Sequence, residues 1–250
     1  MFERVSEHVY IKAPEGYSDR PTTGYIKGDK FSLLFEAGAS ETHAKEIKRD
    51  LHEKNLPYPS LLAISHWHWD HSFGLSAWDI PSIAGKETND MLKTLSSYSW
   101  DDSSIKERVR NREEIAFCHE MMKREYGDTK LINVASATIE FEKELIIDLG
   151  GVTAHLIHIG GPHSRDSVVL HIEEDRVLFL GDSHGKDLYT FPWDYDINEE
   201  EKFMENIETI PFDLIELKKY RERLKELDFD IAIPGHSEPI DRKELFSLIS

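Results

Sequence analysis

Hydrophobic positions along the chain fall into short runs broken by turns, and the runs change period from strand to helix and back. Val9-Tyr10-Ile11, Thr22 to Ile26 and Phe31 to Glu36 read as strands, the last closing on Ala37-Gly38. Ala44, Ile47 and Leu51 then recur at helical spacing behind Ser40, a residue type suited to cap a helix start, and Asn55-Leu56-Pro57 ends that helix. Residues 60–64 return to strand through Leu61-Leu62-Ala63-Ile64. From about residue 86 to residue 127 the pattern is helical and polar, with Ile105, Val109 and Ile115 to Phe117 as its apolar side, which predicts an inserted helical arm. Thr138 to Phe141, Leu145 to Leu149, Val152 to Ile159, Ser167 to Ile172 and Arg176 to Leu180 follow as strands joined by tight turns at Gly150-Gly151 and Glu174-Asp175, and are expected to build a second sheet. After an irregular aromatic segment from Leu188 to Tyr195, Leu217, Tyr220, Leu224 and Leu227 share a helix face. Asp230 to Ile233 is the last strand, and Asp241 caps a final helix carrying Leu245, Leu248 and Ile249.

Strands and helices in each half predict an α/β fold of four layers, two sheets packed face to face with helices outside. The chain of 250 residues fits one domain over residues 1–250 with the helical insertion at about 86–127. Composition sharpens this in three ways. Hydrophobic residues at 39% and charged residues at 31% suit an ordinary folded chain and argue against extensive disorder. The formal net charge of -18 opposes attraction to phosphate backbones, so no nucleic-acid partner is expected. Lys and Arg mostly alternate with acids, as in Glu216 to Arg223, the pattern of a solvated helix surface. Cys118 is the single cysteine, so any metal must be held by histidine and carboxylates. The start of the chain lacks an apolar run of signal length, and no stretch approaches the roughly 18 apolar residues of a membrane span. A cytoplasmic setting is the expectation, and oligomeric state is not legible.

Chemistry concentrates in His66-Trp67-His68-Trp69-Asp70-His71, four metal-capable side chains within six residues at the end of a buried strand. In His66-x-His68 alternate residues of an extended segment point the same way and suit one ion, while Asp70 and His71 lie past the bend and can turn toward a second. Three later strand ends offer more candidates: His163 in Gly160-Gly161-Pro162-His163, Asp182 after Leu180-Gly181, and His236 after Pro234-Gly235. Gly and Pro beside each let backbone approach a compact centre and fix the turn.

These seven residues, in this order, make the chain resemble the metallo-β-lactamase-fold hydrolase superfamily, over about residues 22 to 240. Glu36 stands where the superfamily's early strand usually closes on Asp. The resemblance implies an αββα sandwich with its site at one edge between the sheets. It also implies a first divalent ion on His66, His68 and His163, a second on Asp70, His71 and His236, and Asp182 bridging both. Zinc is the expected metal, with iron or manganese also compatible. Two such ions can share a bridging hydroxide as nucleophile, which is hydrolase chemistry, and Asp70 can orient it or return a proton. Aspartate at 182 and the lack of a motif cysteine look like the glyoxalase II, lactonase and ribonuclease Z branches rather than antibiotic-degrading enzymes. The expected substrate is therefore a small ester, thioester or lactone. Few residues follow His236, which speaks against the glutathione-binding domain of glyoxalase II.

His184 follows Asp182 closely enough to donate to substrate, and Tyr189 is similar to the oxyanion-stabilising tyrosine of lactonase-like members. Trp67, Trp69, Tyr98, Trp100, Phe191, Trp193 and Tyr195 are candidates to wall an apolar pocket. His8, His43, His52, His119, His155, His158 and His171 lie away from the motif turns and are expected to be structural or solvated. Rival readings are a ribonuclease Z-like phosphodiesterase, which the acidic balance disfavours, a mononuclear iron sulfur-dioxygenase, and a non-catalytic metal-binding protein.

Overall fold

Two β-sheets lie at the centre of the computed structural model, which describes residues 1–189 and 210–249. The first sheet runs β1 (Glu3–Arg4), β2 (Val9–Lys12), β3 (Thr23–Lys27), β4 (Ser32–Phe35), β5 (Leu61–Ala63), β6 (Ser82–Gly85) and β7 (Ile139–Phe141). The second runs β8 (Glu144–Asp148), β9 (Thr153–His158), β10 (Val168–Ile172), β11 (Val177–Gly181), β12 (Ile231–Pro234) and β13 (Ile240–Asp241). Pairing is parallel from β4 through β7 and between β11 and β12. Helix α1 (Glu41–Glu53) covers the outer face of the first sheet, and the short α2 (Trp69–Ser72) follows the end of β5. With α1 lie α3 (Lys86–Leu95), α4 (Asp102–Arg110) and α5 (Ala116–Tyr126), while α6 (Leu214–Lys225) and α7 (Arg242–Leu248) cover the second sheet.

Strand alternation sorts side chains into the layers. Leu33 and Phe35 of β4 face Val168, Leu170 and Phe179 across the sandwich, and Leu34 between them packs with Ala44 and Ile47 of α1. Val169 and Leu178 turn outward onto Leu217, Tyr220 and Leu224 of α6. The Phe35 and Phe179 rings meet with centroids 5.6 Å apart. Each such buried side chain contributes roughly 1.5–3 kcal/mol of transfer free energy. The sandwich therefore coheres without a disulfide, and Cys118 is a free, buried thiol.

The predicted caps are present: Ser40 Oγ accepts from His43 N at 3.0 Å, and the Asp241 carboxylate accepts from Glu244 N at 2.7 Å. One assignment differs from the expectation. Thr138 to Phe141 was expected in the second sheet, yet β7 pairs parallel with β6 in the first, Ile83 opposite Ile139. A parallel neighbour needs a long crossover, and α3 to α5 provide it. β6 itself escapes the hydrophobic pattern because Ser82, Ala84 and Gly85 leave Ile83 as its one large apolar residue. The inserted helical segment is present as α3 to α5, and Leu92, Leu95, Ile105, Met121 and Met122 anchor it in the core over the first sheet. Phe191, Trp193 and Tyr195 lie outside the described residues.

Candidate metal centre

Strand β5 ends at Ala63, and the next residues turn through a loop that is fixed from several sides. Ser65 N donates to Glu36 Oε2 at 3.2 Å, Trp67 N to Asp166 Oδ2 at 3.0 Å, and Ser72 Oγ to the carbonyls of Trp67 and His68 at 2.9 and 2.8 Å. His66 and His68 precede the bend, and α2 begins at Trp69 and carries Asp70 and His71 to the other side. Trp69 is buried and plugs the loop onto the core, whereas Trp67 is only half-buried. His163 follows β9, Asp182 follows β11 and His236 follows β12, so all seven residues gather at one edge of the sandwich.

They form two sets. Ligand atoms of His66, His68 and His163 all lie within 4.8 Å of one another, as do those of Asp70, His71, Asp182 and His236. In the first set His68 Nδ1 and His163 Nε2 are 3.0 Å apart. In the second, Asp70 Oδ2 is 3.0 Å from His71 Nε2 and 3.1 Å from His236 Nε2. Asp182 Oδ2 stands 3.4 Å from both His71 Nε2 and His236 Nε2, and 3.6 Å from His163 Nε2 in the first set. It is the carboxylate between the two.

The donors fit divalent ions. His66 Nε2 is buried with no hydrogen-bond partner among the described residues, a costly arrangement unless a cation takes the lone pair. Burial, and then the neighbouring imidazoles, hold His66 and His68 well below the ordinary histidine range, so both present neutral nitrogens. Burial opposes charge on His71 too, but Asp70, Glu36 and Asp182 outweigh it and push that imidazole well up. Burial likewise disfavours ionised Asp70, and His71 and His236 overcome it and hold the carboxyl down. The second set thus concentrates negative charge that protons or a divalent cation must answer. An imidazole-only set beside a carboxylate-rich one suits zinc in the first and tolerates harder ions in the second.

Outward-facing nitrogens have fixed partners. His66 Nδ1 is 2.8 Å from Ser65 Oγ, His163 Nδ1 donates to Lys186 O at 2.8 Å, and His71 Nδ1 is 3.1 Å from Glu36 Oε1. Such outer groups set the tautomer and aim the ring. Gly235 is required by close approach: a Cβ there would lie 2.0 Å from Asp182 Oδ1 and 3.1 Å from His71 Cε1.

Beside the first set opens a cleft of about 320 Å³ lined by Trp67, His68, Met91, His163, Arg165 and Tyr189, among others. The Tyr189 ring sits with its centroid 4.9 Å from that of His68 and 5.1 Å from that of Trp67. Its hydroxyl donates to Glu114 Oε1 at 2.9 Å and reaches Cys118 Sγ at 3.6 Å, so the ring, rather than the hydroxyl, is what Tyr189 presents to the ligand set. Burial raises the Glu114 carboxyl to about 7, against hydrogen bonds from Ile115 N and Tyr189. His184 Nδ1 is buried without a hydrogen-bond partner among the described residues, and burial lowers its pKa, leaving it neutral. Tyr98 and Trp100 stack near Arg108 away from the cleft lining. His8, His119 and His155 pair with Asp175, Asp102 and Glu144, and His43 accepts from Ala39 N.

Sequence reasoning missed Asp19, Ser65, Asp166 and Glu114. Ser65 was within reach as the residue ahead of His66, and Asp166 as an acid three places after His163. Asp19 and Glu114 reach the site from segments with no local motif, and only folding reveals them.

Comparison with solved structures places this architecture among known folds. A metallo-beta-lactamase from Pontibacter korlensis superposes with a TM-score of 0.61 at 15% identity, covering 100% of this chain and 98% of its own. The DIM-1 metallo-beta-lactamase gives 0.60 at 16%, covering 100% and 94%, and one from Hirschia baltica 0.60 at 17%, covering 100% and 95%. At these identities the likeness concerns the fold alone. A comparison with curated proteins finds no match. The family described as the metallo-beta-lactamase superfamily matches residues 19–236, a span that contains all seven clustered side chains. On that match, and with the αββα sandwich and the paired ligand sets in place, the chain belongs to the metallo-beta-lactamase superfamily.

Proposed function

We propose that the protein is a dinuclear metal-dependent hydrolase of a small ester, thioester or lactone. The observation that carries this reading is the convergence of two ligand sets on one carboxylate, Asp182. His66, His68 and His163 would hold one ion and Asp70, His71 and His236 the other, with Asp182 between them; zinc fits a donor set of imidazole and carboxylate without sulfur. Bound there, such a pair supplies Lewis acidity and lowers the pKa of water toward neutrality.

The chain's own residues do the rest. The Asp70 carboxylate would orient a water at the centre and carry a proton toward a leaving group. His184, two residues after Asp182 and held neutral by burial, would offer a donor to a substrate oxygen. Trp67 and the Tyr189 ring form an aromatic wall beside His68, which excludes water from one side and suits an acyl or ring substituent. A cleft of about 320 Å³ matches a small molecule. The net charge of -18 weighs against a polyanionic nucleic-acid substrate. Among the described residues, no helix is long and apolar enough to cross a membrane.

The test is a panel of ester, thioester, lactone and phosphodiester substrates, each assayed with and without chelator. Chelator-sensitive turnover of an acyl substrate supports the proposal. Turnover confined to the phosphodiester would replace it with a nuclease reading.

A further inference from the structure

We propose that Asp19 is a positioning residue for His236, the carboxylate that fixes this ligand's tautomer and aims it at the second ion. The inference rests on the reading that His236 holds a metal.

His236 Nε2 faces inward, 3.1 Å from Asp70 Oδ2 and 3.4 Å from Asp182 Oδ2, so a metal bound there leaves the proton on Nδ1. On that side Asp19 Oδ1 stands 3.5 Å away, at ion-pair distance. Three of the other imidazoles already show the same arrangement, with Ser65, Lys186 O and Glu36 behind His66, His163 and His71. His236 is the most exposed member of its set, so it has the least packing to hold its ring. An outer carboxylate matters most there.

The loop that delivers Asp19 is built to hold it. Residues Glu15 and Arg20 bridge each other through both backbone hydrogen bonds at 2.9 Å, closing a turn around Asp19. The Arg20 guanidinium then binds both oxygens of Glu125 on α5 at 2.8 and 3.0 Å, and Glu46 on α1 at 2.8 Å. Ser18 Oγ donates to the same Glu125 at 2.6 Å. On the other flank Thr22 N donates to Gly235 O at 2.6 Å, tying the loop directly to the turn that carries His236. Within this frame Asp19 adopts a left-handed backbone with φ 58°, unusual for a residue with a side chain, and aspartate and asparagine tolerate it best. With the backbone held in that turn, the direction in which the Asp19 carboxylate leaves the loop toward His236 is set by the frame around it.

The test is Asp19→Asn, which keeps the size and the backbone preference and removes the charge. Metal-free wild-type and variant chains are titrated with zinc against a chromophoric chelator, resolving the two equivalents. The expected result is an unchanged first equivalent and a second weakened roughly 10- to 100-fold. Thermal unfolding of the metal-free proteins should coincide, and in a His236→Ala background Asp19→Asn should cause no further weakening. Equal affinities for the second equivalent in wild type and variant, or equal weakening of both equivalents, overturns the proposal. A wild type that takes up fewer than two ions overturns instead the two-ion reading on which it rests.

Discussion

Replacing Gly235 with alanine perturbs the centre without touching a ligand. The new methyl would sit 2.0 Å from Asp182 Oδ1 and 3.1 Å from His71 Cε1, where ordinary contact begins at 3.4 Å. The backbone has little freedom to yield, because Gly235 N donates to Gly181 O at 2.8 Å and Gly235 O accepts from Thr22 N at 2.6 Å. Asp182 must therefore retreat by more than 1 Å. A displacement of that size at a positioning group costs on the order of 100-fold in turnover. Folding should lose a comparable free energy, about 1–3 kcal/mol for a single overpacked methyl, which leaves an ordinary domain folded. The assay pairs kcat/KM on whichever acyl substrate the panel identifies with urea unfolding and zinc stoichiometry. A folded Gly235→Ala protein that keeps wild-type turnover and both zinc equivalents would refute the inference that Asp182 must occupy its observed position between the sets.

Two further substitutions separate support from ligation. Glu36→Gln removes the charge 3.1 Å behind His71 Nδ1 and should weaken the second zinc equivalent by roughly 10- to 100-fold in a competition titration, leaving the first intact; an unchanged second equivalent would remove Glu36 from the centre. Glu114 is an ordinary 4.5 carboxyl raised by burial to about 7, with Tyr189 and Cys118 facing it and Arg108 nearby. Its native form binds the proton more tightly than the unfolded chain does, so its contribution is full below 4.5 and is lost as pH rises through 7. Relative to Glu114→Gln, wild-type stability should fall by about 3 kcal/mol across that window, read from urea unfolding at pH 4.5 and 8. Parallel stability curves for the two proteins would show that Glu114 ionises freely in the fold.

Residues that act through short-range pattern were legible in the chain. His66, His68, Asp70 and His71 announce themselves by density, and His163, Asp182 and His236 by standing at strand ends beside glycine or proline; the structure brings all seven together. Ser40 and Asp241 likewise cap helices because capping is decided within a few residues. What escaped is decided across the fold. β7 changes sheets because β6 is its neighbour in space, and the helices between them leave no local sign of that. Asp166 holds the Trp67 amide, and Glu114 holds Tyr189, across long stretches of chain. Besides Glu15 in its own loop, Arg20 draws in Glu46 of α1 and Glu125 of α5, so the loop that presents Asp19 is ordered in part by partners that no window around it contains.

Metal content of the full chain, purified without added metal and measured by elemental mass spectrometry before and after chelation, bears most directly on the central claim. Two clustered donor sets sharing Asp182 predict two divalent ions per chain, removed together with hydrolytic activity and restored by zinc. One ion or none per chain at zinc saturation, or activity indifferent to their removal, would contradict it.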